Sequence, residues 1–183
     1  MRVAVYPGTF NPIHYGHLAV VRGLLEAGFD CVYLVVSAQN PFKDPASALS
    51  ARERYEAAAE ELSHYPELNV RADDIELGME PPSYTIRTLD ALAAREPDNS
   101  FTLAMGADNM PGFLHWREWE RILTDYGIAV YPRGDVDMAA VLQTFPEELR
   151  SRVMLLDAPR VDISSTEIRA AKSRYEIPAL RPE

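Results

Sequence analysis

The chain has one cysteine, Cys31, in 183 residues, so no disulfide can form within it. That fits a reducing compartment, and the cytoplasm is the expected location. Cys31 opens the apolar run Cys31-Val32-Tyr33-Leu34-Val35-Val36, where it reads as a buried strand residue rather than a nucleophile. Histidine is scarce too, with His14, His17, His64 and His115 the whole supply. His14 and His17 have a zinc-like spacing, but no third or fourth soft ligand accompanies them, and no protein metal site is expected. No apolar run is long enough to span a bilayer, and Met1-Arg2 leads straight into a strand without the apolar core of a signal segment. Positive charge is short: 18 Lys and Arg against 28 Asp and Glu leave a net charge of −10. Neither nucleic acid nor membrane is therefore an expected partner, and any anion must be captured by local groups against the overall field. No Gly-Lys-Ser/Thr closes a phosphate loop, which excludes a Walker-type site. Repeats, low-complexity tracts and linkers are also missing.

What remains is an ordinary globular composition, 47% hydrophobic and 25% charged, in a length that suits a single domain over residues 1–183. Strand and helix patterns alternate along it. Apolar strands are expected at Val3–Tyr6, 31–37, Leu68–Ala72, Phe101–Met105, Gly127–Tyr131 and Val153–Leu156. Helices are expected from Tyr15, with Leu18, Val21, Leu24 and Leu25 as the apolar stripe and Gly28 as the stop, and from Ser50, whose spacing to Glu53 makes a capping box. Further helices are expected at Tyr84–Arg95, Asn109–Phe113, Glu118–Leu123, Met138–Leu149 and from Ser165, with Ser37 to Ser50 a proline-bearing loop. Such alternation predicts an α/β fold, a doubly wound parallel sheet of Rossmann-like type with helices on both faces.

The most informative stretch leaves the first strand: Gly8-Thr9-Phe10-Asn11-Pro12-Ile13-His14-Tyr15-Gly16-His17. An α/β fold binds phosphate there, on N–H groups at a helix N-terminus beyond the strand's carboxyl end. Gly8 would let the chain turn and an anion approach; Thr9 offers a hydroxyl, Phe10 an N–H, and His14 and His17 imidazole donors from the first helical turn. A purely structural loop, with Phe10 packed beneath it, is the alternative. A second helix start, Ser164-Ser165-Thr166-Glu167, is a capping box by itself; beside the first motif it makes a second phosphate clamp, with Arg169 one turn on to grip the same oxygens bidentately. Lys43 lies in the loop after the second strand, where a lysine is ordinarily solvated. Arg133, at a strand end, can reach either a second substrate or a leaving pyrophosphate.

Gly-Thr-Phe-x-Pro-x-His-x-Gly-His resembles the signature of the nucleotidylyltransferase superfamily, and Ile163-Ser164-Ser165-Thr166-Glu167-Ile168-Arg169 resembles its second, adenylyltransferase signature. Pro82-Ser83-Tyr84-Thr85 and Gly106-Ala107-Asp108-Asn109 resemble segments of the bacterial nicotinate-nucleotide adenylyltransferases. The resemblance implies transfer of AMP from ATP to nicotinate mononucleotide, giving deamido-NAD and pyrophosphate. It implies that His14 and His17 serve the phosphates with His17 nearer the reacting centre, and that Asp108 binds ribose hydroxyls or supports the magnesium-nucleotide. Trp116 would stack on the pyridine ring beside Tyr84, while Thr85 and nearby backbone N–H groups would hold its carboxylate, and Lys43 would help neutralise phosphate. By helical spacing either Trp116 or Trp119 can be core, and Trp119 is the one expected there. Two positions depart from the pattern, Asn11 in place of Asp and Phe42 in place of a loop histidine, and the resemblance implies a further terminal helix beyond Glu183.

The residues agree with that chemistry on their own terms. An acceptor phosphate is already an anion, so positioning and charge stabilisation dominate and no activated nucleophile is needed. Mg2+ accompanying ATP would bridge phosphate oxygens and keep most of its waters, without a protein cage. Alternatives are phosphopantetheine or nicotinamide mononucleotide as acceptor, or a non-catalytic nucleotide-binding protein. Homo-oligomerisation is left open.

Overall fold

The computed structural model describes residues 1–38 and 50–157. Within them lie β1 (Arg2–Gly8), α1 (Tyr15–Glu26), β2 (Cys31–Val36), α2 (Ala51–Leu62), β3 (Val70–Asp73), α3 (Thr85–Arg95), β4 (Ser100–Gly106), α4 (Trp119–Arg121), β5 (Ile128–Tyr131), α5 (Met138–Gln143) and β6 (Val153–Leu155). The strands form one sheet in the order β3-β2-β1-β4-β5-β6, and every neighbouring pair is parallel. This is the expected Rossmann-like architecture. β2 is apolar and buried at every position, as a strand covered on both faces must be.

Alternate residues along the strands feed two separate cores. Ala4, Tyr6, Val32 and Leu34 meet Leu18, Val21 and Leu24 of α1 and Ala58 and Leu62 of α2. Val3, Val5, Tyr33 and Val35 meet Ile86, Leu89 and Leu92 of α3, together with Met110, Phe113, Ile122 and Leu123. α1 ends where Gly28 takes φ +92°, and α2 begins with the reciprocal Ser50–Glu53 capping box.

The chain leaves β1 for β2 on one side and returns to β4 on the other. Their carboxyl ends therefore bound a crevice at the switch point, floored by Gly8 opposite Val36 and Gly106 opposite Tyr131. The segments after β4 depart from expectation. The helix expected at Asn109–Phe113 is a 3-10 helix over Ala107–His115 with Pro111 inside it. The one expected at Glu118–Leu123 is the short α4 followed by a π turn, Ile122–Tyr126, closed by Gly127 at φ +76°. A single helix over Met138–Leu149 does not form. Pro146 lacks an N–H and disfavours helical backbone at Phe145, so α5 stops and a 3-10 helix, Glu147–Arg152, follows. Another 3-10 helix, Ile75–Gly78, was not expected. The helix expected from Ser165 lies outside the described residues.

At the end of β1 the packing has no slack. A Cβ on Gly8 would lie 2.8 Å from Cζ of the Phe10 ring. Gly8→Ala is expected to destabilise the protein by about 1–3 kcal/mol, the usual cost of overpacking. In a Phe10→Leu background the same substitution should cost less. Urea unfolding of the four proteins of this cycle measures both, and a neutral Gly8→Ala would contradict the packing described.

Candidate active site

Gly8 was expected to supply the turn, but it stays in the strand, and the left-handed residue is Phe10, at φ +43°. The glycine is needed for a different reason: the edge of the Phe10 ring occupies the space a side chain would take. Phe10 is 2% exposed, edge-on to Tyr6 at 5.4 Å and to His17 at 5.0 Å. The packing role considered for Phe10 is thus real, and its backbone N–H still makes no hydrogen bond among the described residues.

His14 is the extended N-cap of α1, and His17 is the third helical residue. The His14 N–H donates to Nδ1 of His17 at 3.2 Å, which leaves the proton of a neutral His17 on Nε2 as a donor. The two rings stack with centroids 3.7 Å apart. Burial, then electrostatic interaction with His14 and Arg133, push the His17 pKa from 6.5 down to about 3. His17 is therefore a neutral, oriented Nε2–H donor in the free protein.

Across the crevice, β4 ends at Gly106, where a Cβ would collide with Asp108 Oδ1 and crowd Arg133 and Tyr131. The Asp108 carboxylate pairs with Arg133 Nε at 3.5 Å and accepts from Asn109 Nδ2 at 3.2 Å. Gly106 is the N-cap of the 3-10 helix that follows, and Asp108 sits in its first turn. The Tyr6 and Tyr131 rings meet at 5.6 Å beneath this pair. Burial, and then Tyr131, hold the Tyr6 hydroxyl well above its ordinary pKa, so it stays protonated.

The acceptor candidates lie around the start of α3. Tyr84 is its N-cap, Thr85 its first residue, and the Tyr84 side chain makes no capping bond. The guanidinium of Arg117 sits 4.8 Å over the Tyr84 ring. Trp116 and Trp119 are both half-buried and both rest on Phe113, at 5.5 and 6.4 Å, so the expected contrast of a core Trp119 with a pocket Trp116 does not appear as a difference in burial. Arg133 pairs with Asp108 and makes no hydrogen bond, ion pair or ring contact with Tyr84, Thr85 or Trp116. Lys43, Ser165, Thr166 and Arg169 lie outside the described residues.

Three buried charged side chains were not anticipated: Arg54, Glu76 and Asp73, the last paired with Arg95. Arg54 of α2 donates to the carbonyls of Thr9 and Ser37. Glu76 accepts from the Thr88 hydroxyl at 2.8 Å and the Ala38 N–H at 3.3 Å, and burial raises its pKa. Arg54 had a readable signal, since it shares one helix face with buried Ala58 and Leu62 at four-residue steps. Glu76 lies in a 3-10 turn without such periodicity.

This arrangement, an open N–H and a histidine pair on one side of a switch point and the Asp108–Arg133 pair on the other, is chemically suited to a nucleotide. The profile of the Cytidylyltransferase-like family matches residues 5–171, and the chain belongs to that family. It is 38% identical over 170 residues to a probable nicotinate-nucleotide adenylyltransferase of Cytophaga hutchinsonii, covering 92% of this chain and 84% of that one. It is 40% identical to the protein of the same description from Parvibaculum lavamentivorans, over 86% of this chain and 76% of that one. Within the family the chain thus falls among the nicotinate-nucleotide adenylyltransferases. The fold agrees with the Plasmodium falciparum nicotinic acid mononucleotide adenylyltransferase complexed with NaAD, at a TM-score of 0.73 and 19% identity, over 92% of this chain and 82% of that one. No helix of the described residues is long and apolar enough to cross a membrane.

The His17 geometry has a consequence for pH. Between pH 6.5 and about 3 the unfolded histidine binds a proton that the folded one refuses, so this residue's contribution to stability is full above pH 6.5 and is lost as pH falls towards 3. Nitrogen-detected NMR of the free protein should show His17 neutral and protonated on Nε2 from pH 8 to pH 5. A titration of His17 near 6.5 would contradict the geometry.

Proposed function

We propose that the β1–β4 crevice transfers AMP from ATP to nicotinate mononucleotide, giving deamido-NAD and pyrophosphate. The observation that carries the site assignment is the oriented His17 donor beside the open Phe10 N–H, at the carboxyl end of β1 in a chain of this family. An oxygen of the acceptor phosphate attacks the α-phosphorus in line, and the bond to the pyrophosphate oxygen breaks. Gly8, Thr9, Phe10, His14 and His17 hold the α-phosphate and the charge that grows on its oxygens. Because His17 is neutral, it stabilises that charge by a directed hydrogen bond. Lys43, Ser165, Thr166 and Arg169 complete the clamp on the β and γ groups, and Arg133 receives the departing pyrophosphate.

Asp108 suits ribose hydroxyls or the metal-nucleotide. Among the described residues no group of three His, Cys, Asp or Glu side chains is placed to hold an ion. Mg2+ brought with ATP would neutralise charge between the two anions. The protein is proposed to act in the cytoplasm, as one domain over residues 1–183.

For the acceptor, Trp116 stacks on the ring, while Tyr84 and Thr85 present the start of α3. The Thr85 and Ile86 N–H groups make no hydrogen bond among the described residues, and the helix N-terminus favours a carboxylate. An amide in that place would turn its own NH₂ towards these donors, at about 1–3 kcal/mol for each one left unpaired. Pyrophosphate release should therefore show kcat/KM at least ~10-fold higher for nicotinate mononucleotide than for its amide. Equal use of the two would contradict this acceptor site, and turnover with phosphopantetheine alone would reassign the enzyme.

A further inference from the structure

We infer that Arg54 is a positioning residue for ATP, tying the carboxyl ends of β1 and β2 together and holding the Thr9–Phe10 peptide with its N–H turned to the α-phosphate. The inference rests on the glycine loop being the triphosphate site.

Arg54 is 7% exposed on the inner face of α2. Its Nη1 donates to the Thr9 carbonyl at 2.8 Å and its Nη2 to the Ser37 carbonyl at 2.6 Å. The Thr9–Phe10 peptide is trans, so its carbonyl and N–H point in opposite directions. A carbonyl held by Arg54 therefore sends the Phe10 N–H away from α2, and that N–H has no other hydrogen-bond partner among the described residues. Phe10 keeps its left-handed backbone between this bond on one side and its buried ring on the other.

The second carbonyl extends the control to the next loop. Ser37 is held by Arg54 and the adjoining Ala38 N–H by Glu76, so the root of the segment leading to Lys43 is fixed from two sides. Arg54 also differs from the other well-placed arginines. Arg95 and Arg121 pair with carboxylates, whereas Arg54 makes no ion pair among the described residues and both its partners are neutral carbonyls. Its guanidinium charge, which arginine keeps in proteins, is left to act on an anion one peptide away. Lysine can supply the charge but not a fork that reaches two carbonyls.

The test compares Arg54→Met, Arg54→Lys and His17→Ala by steady-state kinetics with ATP and acceptor varied separately, each below its unfolding temperature. In Arg54→Met, kcat/KM for ATP should fall about 10²-fold, the scale of a misplaced reacting group, with the acceptor's binding constant unchanged. Arg54→Lys should recover only part of the loss. In the wild type, the Phe10 amide resonance should shift on binding a non-hydrolysable ATP analogue. That last measurement decides the matter if Arg54→Met does not fold. Wild-type ATP kinetics in the Arg54 variants, with His17→Ala impaired, would overturn the role of Arg54 alone. An equal loss towards both substrates, full recovery by Lys, or an unmoved Phe10 amide would overturn it as well. If neither His17→Ala nor the Arg54 variants alters ATP use, the triphosphate assignment of the loop fails instead.

Discussion

The edge of the Phe10 ring rests on the bare Cα of Gly8, and the geometry of the crevice follows from that contact. A left-handed backbone at a residue other than glycine costs about 1–2 kcal/mol. Full burial of a phenylalanine side chain returns about 1.5–3 kcal/mol, and the Arg54 bond to Thr9 adds to it. The strained turn is thus held by the packing around it. With the ring in place, the Phe10 N–H is open, Tyr6 and His17 are braced edge-on, and β1 can run straight to Gly8 beside Val36. A side chain at position 8 would displace the ring and loosen all of these together.

Electrostatics at the crevice are local. A net charge of −10 opposes a polyanionic ligand, but charges beyond a Debye length of about 8 Å at physiological salt are largely screened. In the proposed site a ligand would meet at short range a set of N–H groups, a neutral imidazole and Arg133, with Arg54 one peptide away. The neutrality of His17 keeps its hydrogen-bonding pattern the same across the physiological pH range. The Asp108–Arg133 pair is half-exposed and worth little to stability.

Much of this was legible in the sequence. The strands and the first three helices followed from apolar periodicity, from Gly28, and from the Ser50–Glu53 box, because local preference and tertiary packing agree there. The pairing of His14 with His17 followed from their spacing, and the tautomer did not, since it depends on a bond to one backbone N–H. The region after β4 was harder. Pro111 sits inside a 3-10 helix, Pro146 follows the early end of α5, and Phe145 joins the core from a non-helical position. The reason for Gly8 was hidden because it lies in a ring two residues on. Arg54 carried the right periodicity yet was hidden by its charge, which ordinarily marks the solvent face of a helix.

The most direct measurement is a crystal structure with a non-hydrolysable ATP analogue and the acceptor bound. An α-phosphate oxygen is expected within about 3 Å of both the Phe10 nitrogen and His17 Nε2, with the acceptor phosphate in line on the opposite side of the α-phosphorus from the pyrophosphate. A triphosphate seated away from the Gly8–His17 loop, with His17 and the Phe10 N–H facing only solvent, would contradict the account.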